Sequence, residues 1–122
     1  MVYRSNKKIG TDFERELVEV LSQKGYWVHF ITPNANGSQP FDIIASKNDI
    51  PIVADCKTSS KKWFHFTRLE DNQVMAFELW FKTGNKNAFI FVKYNDEIYQ
   101  IPYRMLKGLE KINLEECRNF LL

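Results

Sequence analysis

Two apolar runs, Phe41-Asp42-Ile43-Ile44-Ala45 and Ile52-Val53-Ala54-Asp55-Cys56-Lys57, flank the polar stretch Ser46-Lys47-Asn48-Asp49-Ile50-Pro51. Both runs have strand composition. Asn48-Asp49 suits a hairpin tip because both residues tolerate positive φ. A hairpin centred there pairs residues whose numbers sum to 97, which sets Asp42 opposite Asp55. Strand side chains alternate, so Asp42, Ile44, Val53, Asp55 and Lys57 share one face. Opposed Cβ atoms lie roughly 4.5–5.5 Å apart, and like charges at that spacing destabilise a sheet. The competing reading, two turn-flanking aspartates on a solvated edge, fits poorly with a face that also holds Ile44 and Val53. Two carboxylates forced together beside a lysine call for a cation. Their hard oxygens suit Mg²⁺, with Mn²⁺ able to substitute.

The chain has 122 residues and 44% hydrophobic content, enough for the core of a single domain spanning 1–122. Apolar runs are too short to span a membrane, Ala88-Phe89-Ile90-Phe91-Val92 being typical. Met1-Val2-Tyr3-Arg4-Ser5-Asn6-Lys7-Lys8 lacks the apolar segment of a signal peptide. Cys56 and Cys117 are too few and too far apart for a disulfide framework, and neither has zinc spacing. A reduced, cytoplasmic protein with no membrane partner is expected. The net charge of +2 neither demands nor excludes nucleic acid. Its distribution says more. Arg4, Lys7 and Lys8 form a basic arm over residues 1–9, and Lys61 and Lys62 follow Lys57 closely. These are candidate phosphate contacts; ordinary solvated lysines are the alternative.

Periodicity predicts a helix from about Thr11 to Lys24, with Phe13, Leu17, Val20 and Leu21 inward and Gly25 as its stop. Tyr26–Ile31 reads as a strand and Thr32–Gln39 as a polar loop. After the hairpin, a second helix is expected from Thr67 to about Lys82, with Leu69, Ala76, Phe77 and Trp80 inward. Ala88–Tyr94 and Ile98–Ile101 form a closing hairpin around Asn95-Asp96. The helical tail, 103–122, holds one helix near Tyr103–Leu109 and another near Leu114–Leu121, the latter with Asn113 as its N-cap. The order α-β-β-β-α-β-β with short C-terminal helices describes a mixed sheet flanked by helices, an α/β domain.

Glu14 is a third acid beside the apolar stripe of the first helix. Thr11-Asp12-Phe13-Glu14 also reads as a capping box, in which Glu14 would stabilise the helix start by about 1 kcal/mol. Asp42, Asp55 and Glu14 are the candidate metal ligands, joined by the backbone carbonyl of Cys56, whose side chain points to the opposite face. Lys57, two residues from Asp55 on the same face, reaches a scissile phosphate or its attacking water. Gln73 sits in the inward stripe of the second helix, where a buried amide must find partners. It could anchor Lys57 or the water, or cap a strand end. Ser38 is a candidate phosphate contact. His29 and His65 read as structural, and Trp63, Phe64 and Phe66 as core rather than base-stacking platforms.

Glu14, Pro40-Phe41-Asp42 and Asp55-Cys56-Lys57, in this order, resemble the PD-(D/E)XK nuclease superfamily. Gly10–Leu17, Asn36-Gly37-Ser38 and Phe41–Ala45 are similar to the Holliday junction resolvases of archaeal Hjc type. Asp55-Cys56-Lys57-Thr58, Trp63–Phe66, Gln73 and Tyr99–Pro102 are similar to the bacterial RecU type. The resemblance implies a restriction-endonuclease-like fold and a nucleoid-associated homodimer that cuts four-way DNA with Mg²⁺ in recombination and repair. It implies catalytic roles for Glu14, Asp42, Asp55 and Lys57, with Gln73 as an accessory. The family usually carries glutamate where Asp55 stands, and the long stalk of RecU-type proteins is absent. Two alternatives share the scaffold: a nuclease acting on duplex, flap or nicked DNA, and a DNA-binding protein without turnover.

Overall fold

The computed structural model describes residues 6–31 and 39–122, with side chains from Asp12 onward. Helix α1 (Asn6–Gln23) leads into β1 (Trp27–Phe30), β2 (Ile43–Lys47) and β3 (Ile50–Thr58). A short strand β4 (Trp63–His65) and a 3₁₀ turn (Phe66–Arg68) precede α2 (Asp71–Lys82). Strands β5 (Ala88–Tyr94) and β6 (Glu97–Pro102), helix α3 (Tyr103–Leu109), β7 (Lys111–Asn113) and two further 3₁₀ turns complete the chain. Among the described residues no helix is long and apolar enough to cross a membrane.

Among the described residues five strands form one mixed sheet in the order β1-β2-β3-β5-β6, in which only the β3–β5 pair is parallel. The β2–β3 hairpin has the register read from the sequence, with Ile43 opposite Ala54 and Ile44 opposite Val53. Its tip residues Asn48 and Asp49 hold φ of 53° and 65°, and Asn95 and Asp96 turn the closing hairpin in the same way at 49° and 61°. Alternation along the strands divides the core in two. Ile43, Ala45, Ile52, Ala54 and Phe91 pack against Phe13, Leu17 and Leu21 of α1. Val53, Ile90 and Val92 pack on the other face against Phe77 of α2 and Tyr103 and Leu106 of α3. The interior strand β5 is therefore buried on both faces, which explains its unbroken apolar run.

Several local expectations are corrected. Helix α1 begins at Asn6, so Thr11 is interior and cannot be an N-cap; the capping-box reading of Glu14 falls with it. Residues 6–9 of the expected arm are helical, and Arg4 lies outside the described residues, as do residues 32–38 of the polar loop with Ser38. Helix α2 starts at Asp71 rather than Thr67, because Phe66–Arg68 closes a separate 3₁₀ turn and Leu69 is extended. The last helix is replaced by 3₁₀ turns at Leu114–Glu116 and Arg118–Phe120, separated at Cys117, although Asn113 does cap the first by accepting from Glu115 N–H at 3.0 Å. The small β4–β7 sheet, with Phe64 opposite Ile112, has no counterpart in the sequence reading. Trp63 is 45% exposed, whereas Phe64 is core and Phe66 partly buried. His29 and His65 are both exposed, and His29 stacks on Trp27.

Candidate active site

Asp42 stands immediately before β2, pinned from several sides. Its carbonyl accepts from Ile31 N–H at 2.8 Å and its N–H donates to the Ala54 carbonyl at 3.1 Å. Its carboxylate accepts from the backbone N–H of Cys56 at 2.8 Å and from Gln39 Nε2 at 3.4 Å. Asp55, only 1% exposed, occupies the inner part of β3 on the α2 side of the sheet. Two positions further along the same face, Lys57 Nζ lies 3.1 Å from Asp55 Oδ2.

Gln73 closes the cluster. It donates from Nε2 to Asp55 Oδ1 at 3.0 Å and accepts at Oε1 from Lys57 Nζ at 3.3 Å. The same Oε1 accepts from Glu70 N–H at 2.9 Å, so this amide completes the capping of α2 while orienting two ionic groups. Of the two roles read for Gln73, anchoring Lys57 matches the geometry, and the backbone it caps belongs to a helix rather than a strand end. The Cys56 side chain packs in the α1-side core, as alternation requires.

The electrostatics record crowding. Burial, then the neighbouring Asp42 carboxylate, holds the Asp55 carboxyl well above the usual carboxylate range, against the opposing pull of Lys57. Glu14 is pushed up to about 7 by burial first and by Asp42 second, again opposed by Lys57. Glu14 thus feels both Asp42 and Lys57 although it projects from α1. It also borders a cleft of about 350 Å³ lined, among the described residues, by Arg15, Val18 and Phe30 as well.

These groups fit a hard cation. Asp55 Oδ2 is buried and makes no hydrogen bond within the described structure, its contact with Lys57 being an ion pair alone. Among the described residues no three Asp, Glu, His or Cys side chains converge into a finished metal cage.

A family model described as archaeal Holliday junction resolvase (Hjc) matches residues 5–119. The chain belongs to the archaeal Holliday junction resolvase family. Two curated relatives agree. The crossover junction endodeoxyribonuclease Hjc of Methanocaldococcus jannaschii is 30% identical over 95 residues, covering 78% of this chain and 66% of the relative, just under two thirds of its length. The crossover junction endodeoxyribonuclease Hje of Sulfolobus acidocaldarius is 35% identical over 112 residues, covering 89% of this chain and 78% of the relative. Among solved structures, that of Archaeoglobus fulgidus Hjc matches the fold with a TM-score of 0.67 at 22% identity, covering 91% of each chain.

Of the residues read from the sequence as candidate phosphate contacts, those within the described residues fall into two groups. Lys61 and Lys62 are exposed just beyond the end of β3, near Lys57. Lys7 and Lys8 lie in the first turns of α1, their side chains outside the described residues.

Proposed function

We propose that this protein is a divalent-metal-dependent endodeoxyribonuclease that resolves four-way DNA junctions. The observation that carries this reading is the cluster itself. In a chain of this family, Asp42, Asp55, Lys57 and Gln73 meet at one end of the hairpin. Asp42 and Asp55 would hold Mg²⁺ or Mn²⁺, assisted by Glu14 and the Cys56 carbonyl. When bound, the cation supplies charge neutralisation and a more acidic water.

The chain's own residues account for the rest. Lys57, held by Gln73 and Asp55, presents a fixed positive charge where negative charge builds on the phosphorus oxygens, or to the attacking water. Gln73 limits the freedom of Lys57, so the ammonium need not be ordered during the reaction. Hydrolysis forms a bond from water oxygen to phosphorus and breaks one ester P–O bond, the leaving oxygen taking up a proton. One chain carries one such site. Symmetrical cutting of two strands needs two, so the active form is a homodimer.

The test compares a labelled four-way junction with its component duplexes, each with and without Mg²⁺. Cleavage confined to the junction and to Mg²⁺ is expected. Equal cutting of the duplexes would replace junction resolution with a general nuclease activity, and no cutting under any metal would overturn the enzyme reading.

A further inference from the structure

The segment from Lys57 to Arg68 carries Lys57, Lys61, Lys62 and Arg68 and contains no carboxylate. Within it, β4 pairs with β7, so Trp63 lies opposite Asn113 and His65 opposite Lys111. Phe64 and Ile112 point into the core and fix the ribbon to the domain. Alternation then sets Trp63, His65 and Lys111 outward, and all three are exposed. Lys111 Nζ sits over the Trp63 ring at 5.2 Å.

Among the described residues, the ion pairs engage Lys57, Lys93, Lys107 and Arg118. Lys61, Lys62, Arg68 and Lys111 take no part in them. Glu110 and Glu116 line hollows beside the ribbon without pairing with its cations. The segment that leads into the ribbon is anchored to the ends of β3 and β5. Arg68 donates to the Thr58 carbonyl at 3.0 Å, Ser59 N–H donates to the Lys93 carbonyl at 2.9 Å, and Leu114 N–H donates to the Lys62 carbonyl at 2.7 Å.

We propose that the outer face of the β4–β7 ribbon is a phosphate-backbone track for a DNA duplex arm leaving the site at Lys57, with Lys111 as a contact and Trp63 as the residue that positions it. The proposal rests on the nuclease reading above. Charge complementarity selects the occupant: cations without carboxylate partners, on a segment that begins at the lysine of the proposed site and on the strand paired with it, match a polyanion that passes through that site. Trp63 acts through Lys111. Its indole face holds the ammonium over the ribbon and lowers the ordering needed when a phosphate arrives.

Binding of the protein to a fluorescein-labelled four-way junction in EDTA, read by anisotropy across a series of salt concentrations, tests this without turnover. Lys111→Ala is expected to weaken binding by roughly threefold at moderate salt and to lower the slope of log K against log salt by about 0.9, the value for one phosphate contact. Lys111→Glu should weaken binding further. Trp63→Ala should weaken binding with the slope nearly kept, and Trp63→Phe should restore it, which a role confined to ribbon folding would not explain. Parental affinity and slope in Lys111→Glu would overturn the proposal, leaving an acidic protein surface as the ribbon's partner, while junction cleavage by the parent would leave the nuclease reading standing. Failure of the parent itself to bind DNA would overturn both.

Discussion

Asp42 accepts the backbone N–H of Cys56 at 2.8 Å, so a carboxylate just before the first strand of the hairpin takes a donor from the second. This single bond locks together the two halves of the motif and leaves Asp55, the residue between them, facing α2.

Asp42→Asn keeps an oxygen able to accept from Cys56, whereas Asp42→Ala leaves that donor without its partner. Asparagine should therefore retain stability while lowering junction cleavage by about a hundredfold or more, since a neutral amide is a poor ligand for a hard cation. Alanine should add a loss of about 1–3 kcal/mol. Thermal melts beside cleavage rates check the pair. Equal stability in both variants would show that the bond to Cys56 contributes nothing.

Asp55→Asn and Lys57→Ala should abolish cleavage and leave junction binding largely intact. Lys57 is held by groups inside the cluster and contributes one charge to a surface that offers several more. Gel-shift affinities together with cleavage rates decide it, and parental cutting by both variants would remove these residues from the active site.

The raised acids give a pH dependence of definite sign. Glu14 in the folded protein titrates near 7 against an ordinary value of 4.5, so between those values the folded state binds more protons than the unfolded chain. Stability without divalent cations should accordingly fall as pH rises from about 4.5 through about 7, and the raised Asp55 acts in the same direction. Bound Mg²⁺ offsets the same charges. It should raise the melting temperature more at pH 8 than at pH 5, and equal shifts at both would contradict cation binding by these carboxylates.

Gly25 ends α1 at φ 93°, with Tyr26 N–H returning to the Leu21 carbonyl at 3.1 Å. An added Cβ would also meet Lys47 Cε at 3.4 Å. Gly25→Ala should cost about 1 kcal/mol or more through backbone strain. Urea denaturation reads the loss, and cleavage at low temperature should be unchanged.

The sequence made the hairpin legible because turn chemistry and strand alternation agree on one register, and the shared face of Asp55 and Lys57 follows from it; Asp42, read as directly opposite Asp55, stands just before β2, where the paired register ends at Ile43 and Ala54. Gln73 was visible for a related reason, as an amide in an otherwise apolar stripe. Glu14 was harder to place. Thr11-Asp12-Phe13-Glu14 matches a capping pattern locally, yet preceding residues extend the helix, and a four-residue motif carries no record of them. The β4–β7 ribbon was hidden because its three-residue strands have no periodicity and find each other across α2, β5, β6 and α3. With that pairing unseen, Trp63 had the composition of a core residue and the position of a surface one.

Gln73 Oε1 serves Glu70 and Lys57 at once. Fraying of the first turn of α2 and disarming of the lysine are therefore one event rather than two. Heat or denaturant that loosens this helix end would silence the enzyme before the sheet melts, and inactivation would run ahead of global unfolding.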